Sequence, residues 1–107
     1  MHIERSHNVG RAEATRRIDA LLDDLLRRPF PGGITVQETS RNWSDNILNF
    51  SVKAKRGFLG TTISGVLGVN DGSVVLDCEL PGLVTTFINE DKIREMVLQQ
   101  LAGLFPA

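Results

Sequence analysis

The sequence has few of the residue types that signal a chemistry directly. Its 107 residues include one cysteine, one tryptophan, two histidines and no tyrosine. A single cysteine excludes an internal disulfide and is typical of a reducing compartment. The formal net charge is −1, with acids and bases interspersed, so the chain lacks the basic surplus that nucleic-acid-binding domains usually carry.

Long apolar runs are also absent. No stretch approaches the roughly 20 apolar residues of a membrane-spanning helix. The segment Met1 to Arg5 lacks the basic start and apolar core of a signal peptide. We therefore expect one soluble cytoplasmic domain over residues 1–107, with a single core and no transmembrane segment.

Alternation of apolar and polar residues is the most informative pattern present. From Ile47 to Leu80 the period is two, as in strands that bury one face. Arg56-Gly57 and Asn70-Asp71-Gly72 interrupt the run as tight turns, because Asn, Asp and Gly tolerate positive φ. The run therefore predicts three antiparallel strands joined by hairpins.

Two further strands are expected before this run. Ile34 to Glu38 alternates, and residues 2–6 form a short strand with Ile3 as its one apolar anchor. The segment from Ser40 to Asn46 is polar except for Trp43. We predict a turn there, with one aromatic plug at the edge of the core.

A first helix is predicted after Gly10, which we place at the N-cap with Glu13 reaching back toward it. Pro29 is expected to end this helix. One side is apolar at helical spacing: Ala14, Ile18, Leu21, Leu22, Leu25 and Leu26. Acid–base pairs four residues apart are expected on the opposite side: Glu13–Arg17, Asp23–Arg27 and Asp24–Arg28.

A second helix is predicted near the C-terminus, with Asn89 as its N-cap and Gly103 as its stop. Its apolar stripe consists of Ile93, Met96, Val97, Leu101 and Leu104. Ile88 before the cap fits a hydrophobic staple with Ile93. Pro81 to Phe87 is then either a connecting segment or a separate turn of helix.

The element order β-α-β-β-β-β-α predicts an α+β fold. Each helix has one apolar stripe, so both must cover the same face of one curved antiparallel sheet, giving two layers. Gly60, Gly65 and Gly68 do not match a phosphate-binding loop, and they favour a bent strand. No cofactor or metal is expected.

The candidates for catalysis are weak. His2 and His7 lack the spacing of a helical metal pair, and we expect His7 to orient the first helix. Cys78 points inward without a basic neighbour, as a small apolar residue would. Asp77 and Glu79 are expected on the wet face of the sheet. We assign no catalytic residue.

Candidate binding residues form one cluster and one isolated aromatic. The cluster is apolar and adjoins a predicted hinge: Leu83, Val84, Phe87 and Ile88. It could be the lip of a pocket, a contact patch, or ordinary packing against the sheet. Trp43 could stack on a ligand or serve as the edge plug.

The chain resembles the small bacterial polyhydroxyalkanoic acid system proteins over nearly its full length. The resemblance lies in four segments: residues 3–10 leading into Glu13-Ala14; Trp43 to Phe50; Gly57-x-x-Gly60 with Ile63; and Leu76-x-x-x-Leu80-Pro81-x-Leu83 with Phe87, Ile93 and Leu101. It implies a bacterial cytoplasmic protein associated with polyhydroxyalkanoate granules, and it transfers no catalytic residue. The element order is also similar to the TBP-like and reduced helix-grip arrangements.

Three functions remain open at this point. The first is a non-enzymatic accessory or binding protein that contacts an apolar ligand or a granule surface. The second is a helix-grip-type enzyme on a small apolar substrate, which requires an interior cavity with at least two convergent polar groups. The third is a structural homo-oligomer, such as a homodimer, that pairs through a free sheet edge.

Overall fold

A computed structural model of the protein describes residues 1–28, 30 and 33–106, with the backbone only at Phe87. Its elements are β1 (His2–Ser6), α1 (Arg11–Leu25), β2 (Thr35–Ser44), β3 (Ile47–Arg56), β4 (Leu59–Val69), β5 (Ser73–Cys78), α2 (Gly82–Phe87) and α3 (Glu90–Leu104). The strands form one sheet in the order β1-β5-β4-β3-β2, and all neighbours are antiparallel. The predicted α+β fold is confirmed, and α2 is the separate turn of helix.

β2 is longer than the sequence predicts. The prediction of a turn from Ser40 to Asn46 is wrong. β2 continues to Ser44, and the chain reverses at Asp45, where φ is 58°. A bulge between Glu38 and Ser40 shifts the pairing with β3 by one residue. Such a bulge changes which side chains face the core, and it breaks the period-two signal.

The core lies on one face of the sheet. Ile3, Leu76, Leu67 and Leu48 are successive cross-strand partners from β1 to β3, and Trp43 of β2 completes the row. Buried residues of α1, α3 and the segment after α3 pack on this row: Ala14, Ile18, Leu101 and Phe105. The prediction that both long helices cover the same face is confirmed.

A second apolar cluster lies toward the other end of the sheet. Ile34, Ala54 and Val84 are buried there, and Ile88 and Ile93 pack against them. The predicted N-cap of α3 is confirmed, since the Asn89 Oδ1 accepts a hydrogen bond from the backbone N–H of Asp91 at 2.8 Å. The flanking isoleucines thus join one cluster, as a hydrophobic staple requires.

The surface of α1 forms two of the three predicted ion pairs, Glu13–Arg17 and Asp24–Arg28. The third prediction is wrong: Asp23 pairs with Arg41 of β2 at 2.9 Å, rather than with Arg27. Gly10 is the N-cap with φ of 84°, and α1 ends at Leu25. The predicted stop, Pro29, lies outside the described residues.

The hairpin between β3 and β4 extends past β5 and β1, while β2 accompanies β3 as far as Lys55. β5 pairs with β4 only from Gly65 to Val69, whereas β3 pairs with β4 along its whole length. The turn at the end of this hairpin contains Gly57, with φ of 64°, and Phe58. No helix in the described part of the chain is long and apolar enough to cross a membrane.

Candidate apolar binding site

A cavity of about 430 Å³ lies between the sheet and the helical layer. It separates the two apolar clusters, because its walls include Leu67 and Leu101 of the first cluster and Ala54 and Val84 of the second. Its volume falls in the range of roughly 300–1,000 Å³ that is usual for small-molecule sites. The expected single core is therefore two clusters with a space between them.

The sheet side of the cavity is entirely apolar over the described residues. It consists of Val36, Phe50, Ala54, Ile63, Leu67, Val74 and Leu76. On the helical side, α1 supplies Leu21, Leu22 and Leu25 after Ile18, and α3 supplies Ile93, Met96 and Val97 before Leu101. The apolar stripes predicted from helical spacing therefore line the cavity as well as the core.

Within the described structure, the polar residues that line the cavity belong to the helical layer. Among the described lining residues, the polar ones are Arg28, which follows α1, and Gln99 and Gln100 of α3. The Arg28 guanidinium also donates to the carboxylate of Asp24. Guanidinium and amide groups can donate hydrogen bonds to a carboxylate or hydroxyl. We did not predict these three residues, although Gln100 lies four residues after Met96 on the same stripe.

The predicted binding residues whose side chains are described lie in three places: the cavity wall, a shallow depression and, for Trp43, the edge of the first cluster. Val84 and Ile88 line the cavity. Leu83 instead lines a separate shallow depression together with Leu59 near the β3–β4 hairpin turn. The side chain of Phe87 lies outside the described part of the structure.

Trp43 does not line the cavity within the described structure. It packs half-buried against the first cluster. Its indole Nε1–H donates to Asp19 Oδ1 at 3.1 Å. Because Asp19 lies on α1 and Trp43 on the edge strand β2, this bond joins the helical layer to the sheet edge.

Arg41 strengthens the same connection. Its side chain is only 15% exposed and lies 3.0 Å from Asp19, 2.9 Å from Asp23 and 2.7 Å from Glu38. Burial alone would lower the pKa of Arg41, but hydrogen bonds to the three carboxylates outweigh it and raise the pKa above its usual value. Arg41 therefore holds α1 against β2. The α1 residues Leu21, Leu22 and Leu25, which come after Asp19 in the sequence, line the cavity.

The remaining titratable candidates form no common site. Burial raises the pKa of Cys78, which disfavours the nucleophilic thiolate. His2 pairs with the carboxylate of Asp77 on the exposed face. His7 stacks on Phe105 with ring centroids 5.0 Å apart and donates from Nε2 to the carbonyl of Asn70 at 2.9 Å. His7 thus fixes the segment that leads into α1.

The fold and the cavity define a small two-layer α+β protein with an apolar interior site. A family model described as "Putative polyhydroxyalkanoic acid system protein (PHA_gran_rgn)" matches residues 1–105. The chain belongs to this family, so the resemblance stated from the sequence is confirmed. No curated protein and no solved structure matches the chain.

Proposed function

We propose that the protein is a non-enzymatic accessory protein of the polyhydroxyalkanoate system, acting in the cytoplasm at polyester granules. In this proposal the cavity binds the aliphatic part of a hydroxyalkanoyl chain. The observation that carries the proposal is the apolar cavity of about 430 Å³ between sheet and helices. Family membership supports the chemical class of the ligand.

The energetics of the cavity favour an occupant. The cavity is partly open to solvent, and its wall is almost entirely apolar. Water in such a space finds few hydrogen-bond partners, and burying an aliphatic chain there is favourable by about 25 cal/mol per Å² of apolar surface removed from water. An aliphatic chain in the cavity would restore the missing contacts.

The distribution of polar groups suggests how such a ligand would be oriented. The described residues on the sheet side of the cavity are all apolar, which suits the alkyl chain. Arg28, Gln99 and Gln100 on the helical side offer donors for a carboxylate or hydroxyl group. We therefore place the alkyl chain against the sheet and the polar end of the ligand against the helices.

The lining supports binding more than catalysis. The described lining residues include no carboxylate, imidazole, thiol or hydroxyl group. A helix-grip-type enzyme would need such groups for acid–base or nucleophilic chemistry.

Both exposed sheet edges carry features that discourage pairing between chains. At the β1 edge, the carbonyl of His2 accepts a hydrogen bond from Arg94 of α3 at 2.7 Å. At the β2 edge, the bulge between Glu38 and Ser40 interrupts the regular strand. Covered carbonyls and bulges are common protections of edge strands. These features favour the binding proposal over a structural oligomer.

Calorimetric titration with 3-hydroxydecanoate tests the proposal. We expect saturable binding to the wild-type protein, and at least tenfold weaker binding to Ala54→Leu, which fills the cavity. Ala102→Leu is the matched control, because it adds the same atoms at an exposed position of α3. The proposal fails if the wild-type protein does not bind or if both variants bind equally well.

A further inference from the structure

The turn of the β3–β4 hairpin presents an aromatic side chain fully to water. Phe58 is 99% exposed, and the next residue, Leu59, is 44% exposed. Both lie at the end of the hairpin, beyond the part of β4 that pairs with β5. Large apolar residues that are exposed next to each other are typical of contact sites.

The same hairpin is the positive part of the chain. Residues 46–70 contain Lys53, Lys55 and Arg56 but no acid. The rest of the chain has nine Lys and Arg residues and all 13 Asp and Glu residues. Although the net charge of the whole chain is small, the charges are separated. The β3–β4 hairpin is basic, and the rest of the chain is acidic.

Lys53 and Lys55 lack the acidic partners that many other cations of the molecule have. Both are exposed and point away from the helices, because they alternate with the buried Ala54. Their cross-strand partners on β2 and β4 are uncharged: Gln37, Thr35, Thr62 and Gly60. Neither lysine forms an ion pair with a described residue. Arg56 has a contact of its own and is not part of the proposed docking site.

We propose that this hairpin turn docks the protein on an anionic phospholipid surface. Phe58 inserts among the acyl chains, while Lys53 and Lys55 lie near the lipid phosphates. Apolar insertion combined with nearby cations is the usual basis of peripheral binding to anionic lipid. A fluid lipid layer can close around a projecting aromatic residue, whereas a protein partner would need a preformed pocket.

This docking site is distinct from the ligand cavity but adjoins its wall. Leu59 shares its shallow depression with Ala54 and Val84, and those two residues also line the cavity. Docking would bring that wall close to the lipid surface. The two proposals are nevertheless separable, because Phe58, Lys53 and Lys55 do not line the cavity in the described structure.

Vesicle flotation tests the docking proposal. The full chain is mixed at low salt with vesicles of phosphatidylcholine alone, or with 30% phosphatidylglycerol. We expect binding only to the anionic vesicles, weakened about tenfold or more by Phe58→Ser. The double variant Lys53→Gln/Lys55→Gln should bind about 25-fold more weakly, or about fivefold per lysine. High salt should weaken binding by the wild-type protein.

Two matched variants test whether the effect is specific to the turn. Val66→Ser removes another exposed apolar residue of β4, and Arg27→Gln/Lys92→Gln removes two exposed cations elsewhere. Both should bind anionic vesicles like the wild type, and all variants should bind 3-hydroxydecanoate equally.

The docking proposal is overturned by any of three results. The first is no binding of the wild-type protein to anionic vesicles, including the case in which it binds only polyester particles or a protein. The second is equal binding to neutral and anionic vesicles. The third is a loss of binding in the control variants equal to that in the turn variants.

Discussion

The ring of Phe50 lies directly over Gly65 on the neighbouring strand. The two residues are cross-strand partners in β3 and β4, on the face that the helices cover. A Cβ atom added to Gly65 would lie 2.6 Å from Cζ of Phe50 and 2.7 Å from Cβ of Cys78. Since Phe50 also lines the cavity, the absence of a side chain at position 65 sets the position of part of the cavity wall.

Gly65→Ala should therefore lower the free energy of unfolding by about 1–3 kcal/mol, because the added methyl group overpacks this site. Denaturant unfolding measures the change. Gly68→Ala on the same strand is the control, because an added Cβ there meets nothing within 4 Å. It should change stability by no more than about 0.5 kcal/mol. Equal losses in the two variants would contradict the overpacking account.

Ala54→Leu should stabilise the ligand-free protein while it weakens ligand binding. Ala54 is buried at 5% exposure and lines the cavity, so a larger side chain gains contacts that are missing in the empty protein. Filling a cavity commonly adds about 0.5–2 kcal/mol to the free energy of unfolding. Thermal unfolding without ligand measures this gain, and the exposed Ala102→Leu should show none. Destabilisation by Ala54→Leu would indicate that the space is already filled.

Arg41→Met should destabilise the protein by about 1–3 kcal/mol, because it removes the cation shared by Asp19, Asp23 and Glu38. Arg41→Lys should recover only part of the loss, since an ammonium group cannot reproduce the guanidinium fork. Arg16→Met, at an exposed position of α1, serves as the comparison and should lower the free energy of unfolding much less than Arg41→Met. The expectation is wrong if urea unfolding gives equal stabilities for the two methionine variants.

Glu13 should contribute to the acid sensitivity of the protein. Hydrogen bonds from Arg16 and then Arg17 lower its pKa from 4.5 to about 2. A lowered pKa means that the folded state favours the carboxylate. The contribution of ionised Glu13 to the stability of the folded state is therefore complete above about pH 4.5. It is lost as the pH falls toward 2.

Glu13→Gln should accordingly make stability fall less steeply between pH 4.5 and 2 than in the wild type. Urea unfolding at a series of pH values measures this slope. Glu95→Gln, at an exposed position of α3, should leave the slope unchanged. If both variants gave the wild-type slope, Glu13 would not be an acid-sensitive group.

Most of the secondary structure followed from local pattern. The alternation after Ile47, the hairpin turns and the cap at Asn89 are properties of short segments, and all were predicted. The extent of β2 was not, because a single extra residue at the bulge after Glu38 reverses the alternation. Polar residues of that strand were consequently assigned to a turn.

The candidate site was only partly predictable. Val84 and Ile88 were singled out as apolar residues beside a hinge, and the structure places them in the cavity wall. Gln99 and Gln100 were missed, because polar residues on a mostly apolar helix carry no local sign that they border a cavity. The pairing of Asp23 with Arg41 was missed because those residues are 18 positions apart in the sequence.

Local sequence was thus enough to establish the order of the elements, most of their bounds and apolar faces, and the family, because periodicity, turns and caps depend on neighbours along the chain. The cavity depends on how far the helices stand from the sheet. That distance follows from side-chain volumes brought together from distant segments, such as Phe50 over Gly65 and α1 held to β2 by Arg41. Only the folded chain brings these groups into contact, so only its tertiary structure could reveal the space between the two clusters.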